Sequence, residues 1–448
     1  MDERSLDGGR VSNVLVVVGT RPEAIKMLPV VMALRRSSWF APLVVTTGQH
    51  RDLVDPILAL EEIEPATDLG VGHPGLTLNE LVCTVIQRLD GFCRERFGAT
   101  GDAIATREEI RADGFPAAAL VHGDTSSAAA AALACFYLRI PVGHVEAGLR
   151  TGSTLTPFPE ELNRQLIARI ASFHLSPTWE NEENLVREGV KADRIFVTGN
   201  TGIDALRYAA AREFPFEDPK VAETVDSGEP YVVVTAHRRE NWNGGLGQIA
   251  EAIGELAAGR PGTRFVVPLH PNPLVRSELG LPLETFANVV LTEPLAYAQF
   301  ARLMARSTLI VTDSGGIQEE APALGVPVLV ARDSTEREEG VEVGTLKLVG
   351  TDPETIVAAA EEVLSDPETH RIDPTDNPYG DGLASDRIVA ALEYLAAVGP
   401  PPSQLGPGFS RKAVLEAAGY PYGLWTTPAE ERAVQPDRSE EHDRWVGR

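Results

Sequence analysis

The chain alternates short apolar, β-branched runs with longer stretches of helical periodicity along most of its length. In the first half, this pattern predicts strands at 14–18, 43–47, 119–121, 142–145 and 173–176, and helices at 23–35, 77–97, 126–139, 160–170 and 180–188. A second series follows, with strands at 195–197, 231–235, 264–268, 289–292, 308–311 and 326–330, and helices at 246–258, 297–305, 317–324 and 355–365. Such alternation is typical of doubly wound α/β domains with parallel sheets.

Two half-chains of one style predict two domains, and 448 residues exceed what a single core usually holds. We place one Rossmann-like domain at 1–198 and a second at 199–397, which ends with a predicted helix at 384–395. A proline-rich and charged tail at 398–448 is expected to be partly disordered, and 98–116 is interpreted as a polar surface insertion. Because ligands bind beyond the carboxyl ends of parallel strands, we expect a cleft between the two domains to hold the site.

The composition argues against certain classes of binding partner. The net charge of −25 repels nucleic acid, so an anionic substrate needs a local group of cations. Only five residues are lysines, which fits either adaptation to high salt or a codon bias towards arginine. The first residues lack the pattern of a secretory signal, and the longest apolar run, 128–138, is too short to span a membrane. We therefore expect a soluble, cytoplasmic protein without nucleic-acid or membrane partners.

Three cysteines without a C-x-x-C pair predict neither a disulfide framework nor a zinc site. The stretch 245–250 matches G-x-G-x-x-A, but about ten residues separate it from the preceding predicted strand. The dinucleotide fingerprint lies in the strand-to-helix turn itself, so this match carries no weight. No cofactor and no metal are expected.

A first candidate for substrate contact is a pair of cations near the N-terminus. A strand ends at Gly19, and Pro22 and Glu23 favour a helix start. Arg21 and Lys26 then lie about one helical turn apart, where a helix N-terminus and two positive charges suit a phosphate. The alternative is an ordinary helix start with a surface arginine and lysine.

A second set of candidate site residues consists of carboxylates at predicted strand ends and at a helix start. Asp124 and Glu146 each follow a predicted strand, so neighbouring strands would bring both acids to one edge of the sheet. Asp124 is equally suited to cap the helix near Ser126. Glu160 and Glu161 open a helix after two prolines, and a helix-dipole role is the alternative for both. Only one of these two can face the cleft.

The second half supplies candidates for nucleotide contact. His237 and His270 each follow a predicted strand, where a histidine suits anion contact or acid–base work. The turn at 313–316 reads Asp-Ser-Gly-Gly between a strand and a helix, and bare glycines there let backbone N–H groups approach a phosphate. Glu319 or Glu320, one turn later, is placed to accept the hydroxyls of a ribose.

Taken together and in order, these motifs resemble the non-hydrolysing UDP-N-acetylglucosamine 2-epimerase family. The matching segments are GTRPEAIKMLPV, TTGQH, HGDTSS, VEAGLRTG, PEELNR, TGNTGIDAL, TAHRREN, HPNP, SGGIQEE and RDSTEREEGVEVGT, from Gly19 to Thr345. The resemblance implies two Rossmann-like domains in the glycosyltransferase-B-like arrangement and a UDP-sugar substrate. We also expect a homodimer.

The resemblance further implies roles for matching positions. Those that match the family's catalytic residues are Asp124, Glu146, Glu160 and His237. Those that match its substrate-binding residues are Arg21, Lys26, His270, Tyr297, Phe300, Ser314, Gly315, Gly316, Glu320 and Arg332. Gln49 and His50 match positions that bind a second, activating UDP-N-acetylglucosamine in some bacterial members, although Asp52 and 70–77 depart from that pattern. Glu338 stands where the family usually has proline.

The implied reaction eliminates UDP and adds it back through 2-acetamidoglucal. The proton at C2 of the sugar is not adjacent to a carbonyl, so a carboxylate with a pKa near ~4 cannot remove it directly. Breaking the anomeric C–O bond first makes that proton acidic. A hydrolysing relative that releases N-acetylmannosamine and UDP, a B-type glycosyltransferase and a non-catalytic UDP-sugar sensor are the alternatives.

Overall fold

The computed structural model describes residues 11–73, 75–98, 114–335 and 337–405. These residues form two compact units. Unit 1 contains the described residues up to Gly199 and those from Ser385 onwards, and unit 2 is Asn200–Ala384. The predicted insertion at 98–116 and the predicted tail at 398–448 fall largely outside the described residues.

In the described part of unit 1, seven parallel strands form one sheet in the order β3-β2-β1-β4-β5-β6-β7. The strands are β1 (Ser12–Val18), β2 (Phe40–Thr46), β3 (Thr67–Asp68), β4 (Ala118–His122), β5 (Val142–Val145), β6 (Phe173–Ser176) and β7 (Ile195–Val197). The helices between them are α1 (Arg21–Arg36), α2 (Arg51–Ala59), α3 (Leu78–Phe97), α4 (Ser126–Tyr137), α5 (Glu160–Ile170) and α6 (Trp179–Arg187).

Unit 2 repeats this plan with six parallel strands among its described residues, in the order β10-β9-β8-β11-β12-β13. The strands are β8 (Tyr231–Thr235), β9 (Arg264–Pro268), β10 (Val289–Thr292), β11 (Leu309–Thr312), β12 (Val328–Val330) and β13 (Leu346–Leu348). The helices are α7 (Thr201–Ala210), α8 (Pro219–Asp226), α9 (Gly245–Gly259), α10 (Pro273–Val275), α11 (Leu281–Leu283), α12 (Tyr297–Ala305), α13 (Gly315–Glu320), α14 (Glu338–Glu342) and α15 (Pro353–Ser365). A last helix, α16 (Ala384–Leu395), follows.

The central strands are apolar almost throughout because helices cover both faces of each sheet. In β1, Val16 pairs with Val44 of β2 and with Leu120 of β4, and all three side chains are buried. In unit 2, Val233 occupies the same place between Val266 and Ile310. The α/β class with two doubly wound parallel sheets is therefore confirmed.

Each sheet reverses its strand order between its first and fourth strands in the chain, which are β1 and β4 in unit 1 and β8 and β11 in unit 2. The crossover helices leave such a point on opposite sides of the sheet, and the crevice between the loops that follow the two strands is where ligands bind. The segments that begin at Gly19 and Gly123 follow these strands in unit 1. Those that begin at Ala236 and Asp313 follow them in unit 2.

Two assignments from the sequence need correction. The strand at 195–197 was grouped with the second series of elements, although the first domain was placed at 1–198; Ile195 pairs with His174 of β6, so this strand is the last one of the first sheet. The final helix was predicted in the second domain, yet α16 groups with unit 1. Its Asp386 forms an ion pair with Arg36 at 2.7 Å, and its Glu393 accepts the hydroxyl of Ser37 at 2.9 Å, so it is joined to the end of α1.

Among the described residues, none of the helices combines the length and the apolar character that crossing a bilayer requires. Helix α3, with 20 residues, buries Leu81, Val85 and Leu89 along one stripe and exposes charged residues elsewhere. That amphipathic pattern is typical of a helix that packs on a sheet. The cytoplasmic location stays a prediction.

Candidate active site

Three carboxylates, which we call the acid cluster, lie at or near the switch point of unit 1: Asp124, Glu146 and Glu160. Glu146 follows β5 with φ at +62°, a left-handed conformation that residues other than glycine rarely adopt. Its carboxylate forms an ion pair with Lys26, and His122 Nε2 lies 3.0 Å from Glu146 Oε2. A strained backbone that directs a carboxylate onto a lysine and a histidine is typical of a functional site.

The charge of Glu146 follows from these neighbours. Burial alone would raise the pKa of the Glu146 carboxyl, but the Lys26 ammonium and the neighbouring His122 ring outweigh it and hold that pKa well below its usual range. Glu146 is therefore an anion at neutral pH. Lys26, which we assigned to the diphosphate and sugar, also belongs to the acid cluster through this ion pair.

The surroundings of Asp124 shift its pKa in the opposite direction from that of Glu146. Burial raises its pKa, the Arg164 guanidinium lowers it, and the negative charges of Glu146 and Glu160 raise it again, with a net rise. Arg164 Nη1 donates to Asp124 Oδ2 at 2.6 Å. Two carboxylates whose pKa values are moved apart by their surroundings are suited to different roles in acid–base chemistry.

The helix-cap alternative for Asp124 is wrong. The N-cap of α4 is Thr125, whose hydroxyl oxygen accepts the N–H of Ala128 at 3.0 Å. In α5, Glu161 is fully buried and accepts hydrogen bonds from Thr151, Arg164 and Gln165. Glu160, which is only partly buried, is thus the residue of the pair whose carboxylate stays outside that internal network.

At the start of α1, Glu23 satisfies the backbone. Its Oε2 accepts the N–H groups of Gly19 and Thr20, both at 2.7 Å, and its Oε1 accepts the hydroxyl of Thr125 at 2.5 Å. These two amides are therefore occupied by the protein itself. Arg21 is partly buried, and the contacts of the described residues include no acidic partner for it, so its guanidinium is available to an anion.

Two buried histidines lie in neighbouring strands of unit 1, and neither was among the candidate residues that the sequence motifs indicated. His144 is buried, and its Nε2 donates to the carbonyl oxygen of Gly123 at 2.7 Å, next to Asp124. Burial lowers the pKa of His144 to about 4, so the ring is neutral and this donor is fixed. His174, its partner in β6, is buried too, and burial lowers its pKa to about 3. A histidine inside an apolar strand is the signal that could have found them.

Gln49 and His50 lie together at the start of α2. Ser127 donates its hydroxyl to Gln49 Oε1 at 2.9 Å, which links this segment to α4. Both residues line a pocket of about 640 Å³ within unit 1, together with Arg51 and His73. Their role in activation stays a prediction.

In unit 2, Asp313 joins the two loops at the switch point. The side chain is completely buried, and its Oδ2 accepts the N–H of His237 at 2.9 Å and of Arg238 at 2.8 Å. Oδ2 also accepts from Asn241 Nδ2 at 2.9 Å. Asp313 thus fixes the loop after β8 against the turn after β11.

That turn, which we call the glycine turn (313–316), faces two arginines. A Cβ atom on Gly315 would lie 3.0 Å from Arg238 Nη2 and 3.0 Å from Arg337 Cζ, so a larger residue would press on both guanidinium groups. Gly316 borders open space. Two guanidinium groups beside a bare helix start have the chemistry that suits a phosphate group. Arg238 lies in the TAHRREN segment, next to His237, whereas Arg337 was not among the candidate residues.

His237 and His270 stack in parallel, with ring centroids 5.3 Å apart and planes inclined by 11°. Burial lowers the pKa of His237, Asp313 opposes this, and His270 and Arg238 lower it further, with a net decrease. The His237 ring is therefore neutral at pH 7. Arg332 is held close by, in an ion pair with Glu240.

Tyr297 and Phe300 lie on α12, partly buried against the core of unit 2. The Tyr297 hydroxyl is buried, and among the described residues it has no hydrogen-bond partner. Burial raises the pKa of Tyr297 far above its usual value, and the charge of Glu320 adds to this, so these two groups are near each other. Glu319 accepts hydrogen bonds from Arg337 at 2.9 Å and from Asn200 at 2.9 Å.

Comparison with known proteins finds relatives that match most of the chain. A family model described as UDP-N-acetylglucosamine 2-epimerase matches residues 32–393. A UDP-N-acetylglucosamine 2-epimerase of Yersinia pestis is 45% identical over 386 residues, which are 85% of this chain and 98% of that protein. A crystal structure from Listeria monocytogenes has 40% identity and a TM-score of 0.78, covering 89% of this chain and 100% of the other. The enzyme of Neisseria meningitidis, solved with bound UDP-GlcNAc, has 39% identity and a TM-score of 0.72, covering 85% and 100%.

Proposed function

Because the chain belongs to the UDP-N-acetylglucosamine 2-epimerase family, we propose that it interconverts UDP-N-acetylglucosamine and UDP-N-acetylmannosamine without hydrolysis. The observation that carries the proposal is the acid cluster, in which Asp124 and Glu146 have pKa values shifted in opposite directions. The Neisseria enzyme binds the same UDP-sugar. In this proposal, the acid cluster acts on the sugar and the glycine turn binds UDP.

The first step breaks the bond between C1 of the sugar and the β-phosphate oxygen, and its electron pair leaves with UDP. The negative charge that develops on the diphosphate needs positive partners that are already in place. Arg238 and Arg337 supply them at the glycine turn, and Arg21 supplies another in unit 1. The positive charge that develops at C1 is stabilised by the Glu146 anion.

The second step moves the proton at C2, which is acidic once C1 carries positive charge. A group whose pKa lies closer to the working pH is the better proton carrier, so we assign one transfer to Asp124 rather than to Glu146. Inversion needs a second carrier on the opposite face of the sugar, and Glu160 is the candidate. Return of UDP to C1 of the 2-acetamidoglucal, with protonation from the other face, completes the reaction.

Exchange with solvent tests this proposal. Incubation of UDP-N-acetylglucosamine with the enzyme in D2O should place deuterium at C2 of both epimers without added NAD or metal, because the proton passes through solvent-exchangeable carboxyl groups. NMR of the mixture measures it. Release of free N-acetylmannosamine with UDP would show the hydrolysing reaction, and epimerisation without deuterium uptake would exclude the elimination.

Replacement of Arg21 tests the cation in unit 1. Arg21→Ala should raise the barrier by about 2–4 kcal/mol, as loss of one oriented donor to a developing anion does. Folding should be unaffected, because no acid among the described residues depends on Arg21. Turnover and melting temperature are compared with Arg36→Ala, at the other end of the same helix, where only an exposed ion pair with Asp386 is lost. Equal turnover in the two variants would make Arg21 an ordinary surface residue.

We also propose the homodimer. Large apolar side chains are exposed near the end of α4, at Phe136 and Tyr137, and along α5, at Leu162 and Leu166. Neighbouring exposed apolar side chains of this size favour association with another protein surface. In a homodimer, a second copy of the chain would cover them.

A further inference from the structure

Helix α5 contains an ion pair that is closed to solvent. Glu161 is 0% exposed and Arg164 is 4% exposed, and Arg164 Nε donates to Glu161 Oε2 at 3.0 Å. The Glu161 carboxylate is fixed from two other directions, by the N–H of Thr151 at 3.1 Å and by Gln165 Nε2 at 3.0 Å. Burial would raise the pKa of Glu161, but these bonds outweigh it and lower it. Arg164 is therefore anchored by a buried anion.

The other end of Arg164 reaches the acid cluster. Its Nη1 donates to Asp124 Oδ2 at 2.6 Å, and the neighbouring Asn163 Nδ2 donates to the Asp124 carbonyl oxygen at 2.8 Å. The side chain of Asp124 keeps 28% of its surface exposed, so one side of the carboxylate stays open to a ligand. The guanidinium of arginine is planar and rigid, and it orients a carboxylate more strictly than an ammonium group does.

We propose that Arg164, anchored by Glu161, is a positioning residue for the epimerisation, which fixes the Asp124 carboxylate and supplies the positive charge that faces it. The role rests on the proposed function, because it acts through the proton transfer assigned to Asp124. Neither Glu161 nor Arg164 touches the sugar in this mechanism. They hold the Asp124 carboxylate in one orientation and favour its ionised form.

The charge around Asp124 determines what loss of Arg164 does. The groups that act on Asp124 are Arg164 and Glu160 from α5, Glu146 after β5 and His122 at the end of β4. Without Arg164, burial and the two glutamates are opposed only by His122, so the pKa of Asp124 rises further. The ionised form, which accepts a proton, then exists only at higher pH. The acidic limb of the pH–rate profile, where the rate rises with pH, must therefore move to higher pH.

Two variants test this role, with kcat, KM and melting temperature measured at pH values from about 5 to 9. Arg164→Gln should lower kcat about a hundredfold near pH 7, as misplacement of a catalytic group does. Its KM should change little, and its acidic limb should move up by about one pH unit or more. Arg164→Lys keeps the positive charge but lacks the planar guanidinium group. The acidic limb of its pH–rate profile should therefore stay near that of the wild type, and its kcat should fall less than that of Arg164→Gln.

The control is Arg260→Gln, which removes an arginine paired with Glu361 in unit 2, neither of which belongs to the proposed site. It should change melting temperature at most and leave the pH profile unmoved. An Arg164→Gln profile that keeps the wild-type limb, with turnover lost only in proportion to folded protein, would overturn the positioning role alone. A wild-type enzyme that does not interconvert the two UDP-sugars would overturn the proposed function and this role with it.

Discussion

Asp124→Asn is expected to lower the rate of epimerisation by about 10²–10⁴-fold, the usual contribution of a general acid or base. Asparagine keeps the size of the side chain and can still accept the hydrogen bond from Arg164, but it cannot carry a proton. The variant should fold, because the cap of α4 is Thr125 and not Asp124. The loss therefore belongs to chemistry and not to helix stability.

The expected result also depends on which of the two epimers is the starting substrate. If Asp124 serves one face of the sugar, the variant cannot start from the epimer whose C2 proton lies on that face. From the other epimer, the remaining carboxylate still removes the proton, but the glycal cannot be protonated on the face that Asp124 serves. We therefore expect free UDP and 2-acetamidoglucal to accumulate from one epimer only.

Separate incubations of the variant with each UDP-sugar, followed by NMR and by assay of UDP, measure this asymmetry. Asp90→Asn is the matched control, because it removes a carboxylate that pairs with Arg94 on the surface of α3. Release of glycal from both epimers, or from neither, would assign Asp124 a role other than proton transfer at one face.

The alternation of strands and helices was predictable because it depends on local pattern, whereas the partner of a short strand was not. Residues 195–197 were identified as a strand, but three residues do not show which sheet they join. Only the register with His174 of β6 assigns them to the first sheet. The final helix was likewise identified, and its ion pair with Arg36 could not be inferred from its own sequence.

In the acid cluster, too, some features follow from the local sequence and others only from the tertiary structure. Strand ends indicated Asp124 and Glu146 because carboxyl ends of parallel strands meet at one edge. Lys26, which lowers the pKa of Glu146, is 120 positions from it, and Arg164, which opposes the rise that burial causes in the pKa of Asp124, is 40 positions from Asp124. No spacing in the sequence connects these residues. Arg337 was missed for the same reason, since only the fold brings it to Gly315.

In unit 2, Asp313→Asn is expected to lower the free energy of unfolding by about 2–4 kcal/mol, because three hydrogen bonds to a buried anion become bonds to a neutral amide. The bonds come from the backbone of His237 and Arg238 and from the side chain of Asn241. Asparagine also brings an NH2 group to the place where Oδ1 accepts the N–H of His237 at 3.1 Å. The loop after β8 should therefore shift away from the glycine turn.

That shift should weaken UDP binding at least about tenfold, since Arg238 no longer lies against Gly315 to meet the phosphates. Calorimetric unfolding and titration with UDP measure the two effects on one protein. Asp352→Asn is the matched control: Asp352 is the exposed N-cap of α15, and asparagine caps helices about as well as aspartate, so stability and UDP affinity should stay at wild-type values. Unchanged stability and UDP affinity in Asp313→Asn as well would mean that the two loops hold their places without this carboxylate.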